Sequence, residues 1–339
     1  MAKKHFPRYT LLALVFTVLY CTKDSAPPAE DQPYELILPP GFPVPLVPED
    51  NALTVGRVAL GKRLFYDPIL SRDSSISCAT CHKADLAFAD SLPITPGVEG
   101  RLGFRNAPSL ANLAWVSQFN KDGGVAKLDL QPVVPIEDEN EMDLSLLKVV
   151  DRLNADASYR ADFQLAYGDA ASAFYLTRAL GAFMRTLVSG GAPYDRYKNG
   201  QTDALDAEQL AGLALFETHC SNCHSGFNLT DNSFQNNGLY DNYQDQGRKR
   251  VTSLPEDEGK FRVPSLRNIA LTAPYMHDGS LPDLSAVLDH YTSGGSQHPN
   301  KSDLIQPFTL SEQERQRLIR FLESLTDRTF VENPAHRME

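Results

Sequence analysis

The chain has 339 residues, enough for two domains of ordinary size, and a formal net charge of −11 that disfavours nucleic acid and favours basic partners. Of its five cysteines, four fall in two short motifs of one spacing, so no disulfide framework can be built from the one that remains. Beyond the first twenty-one residues, no segment is apolar enough to cross a membrane.

Residues 1–21 carry Lys3, Lys4 and Arg8, then the apolar run from Leu11 to Tyr20, and no acidic residue. That pattern reads as a secretion signal, too short to span a bilayer, whose removal takes the formal net charge from −11 to −14. Cys21, followed by Thr22-Lys23-Asp24, is a candidate lipoprotein processing site at which the Cys carries lipid. Tyr20 stands where a small residue is usual, so the alternative is cleavage nearby and a soluble periplasmic protein. Residues 22–48, rich in Pro and acidic side chains, read as a tether.

Helical periodicity begins near Asn51, with Val55, Val58, Leu60, Leu64 and Phe65 on one face, and delivers the chain to Cys78-Ala79-Thr80-Cys81-His82. In such a C-x-x-C-H stretch two thiols can form thioether links to a haem while the adjacent His reaches its iron. The motif returns as Cys220-Ser221-Asn222-Cys223-His224, so the chain is expected to carry two covalently held haem c groups. A zinc site fits poorly, since paired half-sites usually lie closer in sequence, and a thiol redox pair does not require the trailing His.

Between the motifs, residues 85–128 are loop-rich. Amphipathic helix patterns cover Asp143 to Tyr167 and Ser172 to Val188, and Gly190-Gly191 with Pro193 marks a boundary. A helix capped by Asp206 runs to His219, residues 230–260 read as loop, and a last helix from Leu310 to Leu325 is capped by Ser311 and stopped by Asp327. Strand alternation is almost absent. The expected fold is mainly α, with two cytochrome c-like domains at residues 49–192 and 193–339.

An internal repeat supports that division. Gly61-Lys62-Arg63-Leu64-Phe65 matches Gly212-Leu213-Ala214-Leu215-Phe216. Downstream, Phe104-Arg105-Asn106-Ala107-Pro108-Ser109-Leu110-Ala111-Asn112 matches Phe261-Arg262-Val263-Pro264-Ser265-Leu266-Arg267-Asn268 with one deletion.

On these motifs, and on Leu271-Thr272-Ala273-Pro274-Tyr275-Met276-His277-Asp278-Gly279, the chain resembles the bacterial dihaem cytochrome c peroxidases and their relative MauG over roughly residues 50–326. The resemblance implies that hydrogen peroxide reacts at the first haem while the second transfers electrons. It places a distal pair at Gln131 and Glu141, with Glu141 as general acid/base and Gln131 as its hydrogen-bonding orienter. Without the family, Glu137, Asp138, Glu139 and Glu141 are simply a solvated acidic turn.

Many of these peroxidases cap the first haem with a distal His; that position is Val98 here, and no His occurs between His82 and His219. The first haem is therefore expected to be five-coordinate or water-bound without reductive activation. For the second haem the family's Met-or-Tyr ligand falls at Tyr291, the MauG-like state, with Met276 the alternative and His277, His290 and His298 nearby. The resemblance further implies a calcium ion held by Asn106, Thr272 and Pro274, and a relay Trp just before Asp122-Gly123, where this chain has Asn120-Lys121. Its only Trp, Trp115, sits earlier.

The reading that follows is a periplasmic peroxidase fed by a small basic cytochrome c or cupredoxin, a homodimer being the assembly allowed for. Two alternatives stand beside it. One is a MauG-like oxidase that modifies a protein or small molecule, towards which Val98 and Tyr291 lean. The other is a dihaem electron carrier without catalysis, against which Gln131 and Glu141 argue.

Overall fold

A computed structural model describes residues 1–2 and 31–338; the signal segment from residue 3 onward, Cys21 included, lies outside the described residues. The body is mainly helical. Its helices are α1 (Val55–Tyr66), α2 (Cys78–Cys81), α3 (Val133–Glu137), α4 (Leu146–Ala155), α5 (Ala157–Tyr167) and α6 (Ala173–Arg185), then α7 (Pro193–Lys198), α8 (Ala207–His219), α9 (Lys249–Thr252), α10 (Leu284–Ser293), α11 (Glu312–Glu323) and α12 (Arg328–Val331). Two short strands, β1 (Phe234–Gln235) and β2 (Phe261–Arg262), pair antiparallel.

Two hydrophobic clusters organise these elements. The first is built on α1 and α6 around Leu64, Phe65, Leu180 and Phe183, and the second on α8 and α11 around Leu213, Phe216, Leu318 and Phe321. The repeat read in the sequence explains their likeness. A Cβ on Gly61 would stand 1.9 Å from the Ala179 carbonyl of α6, and one on Gly212 would stand 2.0 Å from the Arg317 carbonyl of α11. Only glycine lets either helix pair approach so closely. One turn on, Phe65 meets Phe183 at 5.2 Å and Phe216 meets Phe321 at 5.0 Å, centroid to centroid.

Four details differ from the sequence expectations. The helix predicted over residues 143–167 breaks at Asp156, whose side chain accepts from the Ser158 and Tyr159 N–H groups and starts α5 as a new helix. The predicted loop over residues 230–260 contains β1 and α9. Helix α10, which carries Tyr291, has no counterpart among the predicted helices. Finally, α11 is not the last helix: Asp327 stops it and also caps α12, taking the Phe330 N–H. Phe330 and Val331 then pack into the first cluster, so the chain ends against the lobe where it began.

The linker between the lobes is bonded from both sides. Asn112 and Asn268 are equivalent in the repeat, both are fully buried, and both adopt the left-handed conformation that Asn tolerates better than most residues. Asn112 exchanges two 2.8 Å bonds with the Ser189 backbone, and Asn268 donates to the Ser189 hydroxyl at 3.0 Å. Asp327 accepts from the Ser189 hydroxyl and from the Gly190 and Gly191 N–H groups.

Candidate active site

Both C-x-x-C-H motifs fold into the same turn. The His82 N–H donates to the Cys78 carbonyl and the His224 N–H to the Cys220 carbonyl, each at 2.9 Å. Ser77 and Thr80 close a capping box around the first. His82 Nδ1 lies 2.8 Å from the Phe88 carbonyl and His224 Nδ1 lies 3.2 Å from the Leu229 carbonyl. Burial lowers both imidazole pKa values, opposed by those carbonyls and by the carbonyls of Pro108 and Pro264. The paired prolines of the repeat thus have a job: they bring acceptors to the two rings.

A neutral imidazole held through Nδ1 presents Nε2 as a ligand. Each ring therefore offers one free nitrogen beside two thiols, which is the donor set that a covalently attached haem takes. The thiols also argue against a redox pair. Burial pushes Cys78 up to about 12 and Cys81 up to about 11, opposite to the lowered pKa that thiol exchange requires. Among the described residues, no group of three or more His, Cys, Asp or Glu is arranged to hold a metal ion by itself.

Glu141 lies within electrostatic reach of the first motif, where its charge helps raise the thiol pKa values of Cys78 and Cys81. Crowding by protein, with Asp138 beside it, pushes its pKa up to about 7, although the residue is solvent-exposed. Gln131, at the end of the turn Leu128–Leu130, is partly buried and donates to the Asn120 side chain at 3.4 Å.

Glu141 is fixed by its backbone, through Val98 and through two residues that the sequence did not single out, Arg72 and Gly97. The Val98 N–H donates to the Glu141 carbonyl at 2.8 Å, and the Arg72 N–H donates to the Met142 carbonyl at 2.9 Å. A Cβ on Gly97 would stand 2.1 Å from the Asn140 carbonyl, so the 97–98 segment can lie against residues 140–141 only with glycine there. Val98 is fully buried and aliphatic. His336 also reaches this lobe, but its Nδ1 lies 3.1 Å from the Phe330 carbonyl and its Nε2 3.4 Å from the Asn333 side chain.

Near the second motif, Tyr291 lies within electrostatic reach of Cys220 and Cys223. Burial raises its hydroxyl pKa, opposed by a hydrogen bond with Asn237. The other candidates have partners. Met276 Sδ accepts from the Asn237 side chain at 3.3 Å, His290 Nε2 lies 3.0 Å from the Asn237 carbonyl, and His298 Nδ1 lies 3.1 Å from the Asn236 amide. His277 stacks on Phe261 at 4.1 Å, and burial pushes its pKa down to about 4. Asn237 thus touches three of the candidates, yet it sits in a polar loop where nothing in the sequence marks it.

Between the lobes, Arg105 bridges Asp122 at 2.8 Å and Asp245 at 2.5 Å. Lys121, at the expected relay position, donates to the Met276 carbonyl at 3.3 Å, and burial beside Arg105 pushes its ammonium down to about 7. Trp115 lies elsewhere, edge-on to Phe42 and Phe227. Asn106 is buried; its backbone N–H donates to the His277 carbonyl, and its side-chain amide donates to the Leu92 carbonyl, leaving Oδ1 as an acceptor.

Comparisons with known proteins agree with this geometry. The family model described as di-haem cytochrome c peroxidase matches residues 56–203, and that for cytochrome c matches residues 209–326. The chain is 43% identical to methylamine utilization protein MauG of Methylorubrum extorquens over 82% of this chain and 80% of that protein. It is 35% identical to cytochrome c551 peroxidase of Pseudomonas aeruginosa over 74% of this chain and 76% of that protein. A crystal structure of a MauG-like protein associated with microbial copper homeostasis superposes with a TM-score of 0.84 at 34% identity, covering 90% of this chain and 99% of that one. Two like helical lobes, each presenting two thiols and an oriented imidazole, together with these similarities, place the chain in the dihaem cytochrome c peroxidase and MauG family of haem oxidoreductases.

Proposed function

We propose that this chain is an exported, periplasmic dihaem cytochrome c peroxidase that reduces hydrogen peroxide to water with electrons from a small basic cytochrome c or cupredoxin. The observation that carries the reading is Glu141, a carboxyl pushed up to about 7 within electrostatic reach of the first C-x-x-C-H motif. Cys78, Cys81 and His82 would hold one haem c, and Cys220, Cys223 and His224 the other, with Tyr291 the candidate sixth ligand of the second. When bound, these groups supply the oxidation-reduction chemistry.

The chain's own residues handle protons and position. Peroxide takes up two electrons and two protons to give two waters. Glu141 as carboxylate can accept the proton from one peroxide oxygen and return it to the other, which leaves as water. A carboxyl poised near neutrality serves both halves of that transfer. Gln131 orients the substrate through its amide, and Val98 leaves the space over the first motif without a competing imidazole. Asn106 Oδ1 and the carbonyls of Thr272 and Pro274 would supply the oxygens for one calcium ion, a hard cation that prefers such donors.

Peroxide-dependent oxidation of reduced cytochrome c tests the reading. Turnover no faster than that of free haem, unchanged by Glu141→Gln, rejects it. The MauG-like oxidase is the second reading, favoured by Tyr291 beside Cys220 and Cys223. Slow turnover with cytochrome c, alongside a long-lived oxidised form of the protein, would select it.

A further inference from the structure

We propose that residues 33–53 are the docking surface for a small basic electron-transfer protein, which seats an apolar patch on Ile37, Val44 and Leu46 beside Trp115. The direction of electron flow rests on the reading above; the surface itself is argued from its own chemistry. This segment is closed into a loop by bonds from the Tyr34 N–H to the Leu53 carbonyl and from the Val55 N–H to the Gln32 carbonyl, at 3.0 and 2.8 Å. Ile37, Val44 and Leu46 are 82%, 84% and 88% exposed. The same loop lines a pocket of about 380 Å³ with mainly apolar side chains, among them Val44, Leu36, Leu38 and Leu53. A cluster of open aliphatic side chains on one loop marks an interaction site more often than an accident of the surface.

Charge selects the occupant. Residues 31–54 contain four acidic side chains and no basic one. Asp50 is paired with Arg178, whereas Glu35 and Glu49 are exposed and in no ion pair among the described residues. An apolar centre with an acidic rim fits a partner whose own apolar face is ringed by lysines, and the limited extent of the patch suits a transient complex. The loop also leads to the second motif. Phe42 meets Trp115 at 5.5 Å and Phe227 at 4.8 Å, the Trp115 indole N–H donates to the Pro43 carbonyl at 2.8 Å, and Phe227 lies two residues before Leu229, whose carbonyl holds His224. A partner seated here stands against contacts that run to the ligand of the electron-transfer haem.

The test uses the intact haem-loaded protein, mitochondrial cytochrome c as the basic probe, and the variants Ile37→Lys, Leu46→Lys and, as a control on exposed Leu147 of α4, Leu147→Lys. Calorimetric or plasmon binding at low salt is expected to weaken about tenfold or more for Ile37→Lys and Leu46→Lys and to stay unchanged for Leu147→Lys. KM for reduced cytochrome c should rise in step, while peroxide turnover with a small-molecule donor stays at the parent value. Parent protein that does not bind the probe, or equal binding by parent and both loop variants, overturns the proposal. Binding that behaves as expected without peroxide turnover upholds the surface and counts against the peroxidase reading alone.

Discussion

The backbone N–H of Val98 donates to the carbonyl of Glu141 at 2.8 Å. Val98, buried and aliphatic, thus braces the backbone of the proposed general acid/base, and Gly97 beside it makes the approach sterically feasible. Gly97→Ala is expected to destabilise the protein by about 1–3 kcal/mol, because the new methyl must displace the Asn140 carbonyl. Movement of Glu141 with it should slow the reaction with peroxide at least about tenfold. Thermal denaturation and stopped-flow mixing measure the two effects; an unchanged rate would show that the brace does not set the carboxylate's position.

Glu141→Gln should lower kcat/KM for peroxide by about 100-fold or more, since an amide cannot accept and return the proton. The pH profile carries a second signature. The carboxyl titrates near 7, so the base form is scarce at pH 6 and dominant at pH 8, and the parent rate should climb across that interval. In the Gln variant the climb should vanish.

Tyr291→Phe removes the hydroxyl near Cys220 and Cys223 and leaves the first lobe untouched. Electron paramagnetic resonance of the resting ferric protein is expected to show one high-spin and one low-spin species, with only the low-spin signal changed by the substitution. An unchanged low-spin signal would transfer the ligand role to Met276.

Asp327→Ala leaves the Ser189 hydroxyl and the Gly190 and Gly191 N–H groups without their shared acceptor, at a cost of about 3 kcal/mol. Burial alone would raise the Asp327 pKa, but hydrogen bonds from Thr329, Gly191, Phe330 and Ser189 outweigh it and hold the value below the ordinary 3.8. Its contribution to stability is accordingly complete above the unfolded pKa near 3.8 and is lost as pH falls through the lower folded pKa. Denaturant melts at pH 7 and at successively more acid values should converge for parent and variant at the acid end.

Calcium removal by a chelator should lower the melting temperature, and added calcium should restore it. Asn106→Ala should abolish that response while retaining both haems. A chelator response equal in parent and variant would locate the ion elsewhere.

Much of the scaffold was legible because the chain states it twice. Gly61 and Gly212, Phe65 and Phe216, and the prolines at 108 and 264 recur in order, and each pair proves to make the same contact. The C-x-x-C-H motifs were legible because thioether attachment fixes their spacing. What escaped was polar and scattered. Asn237 and the bonds by which Asp327 holds the linker act through polar contacts across the sequence, and Gly97 through the space it leaves, none of which periodicity reveals. The break at Asp156 was hidden because the apolar pattern runs across it. Helix α10 is ten residues long with only Leu288 fully buried, too short for its period to stand out.

Ser189 is gripped by Asn112 from one lobe and by Asn268 from the other, so a single buried peptide serves as the keel of the whole molecule. Neither half can swing without tearing bonds that its twin also uses. His82 belongs to the first C-x-x-C-H motif and His224 to the second, so the two lobes that carry them share this one anchor.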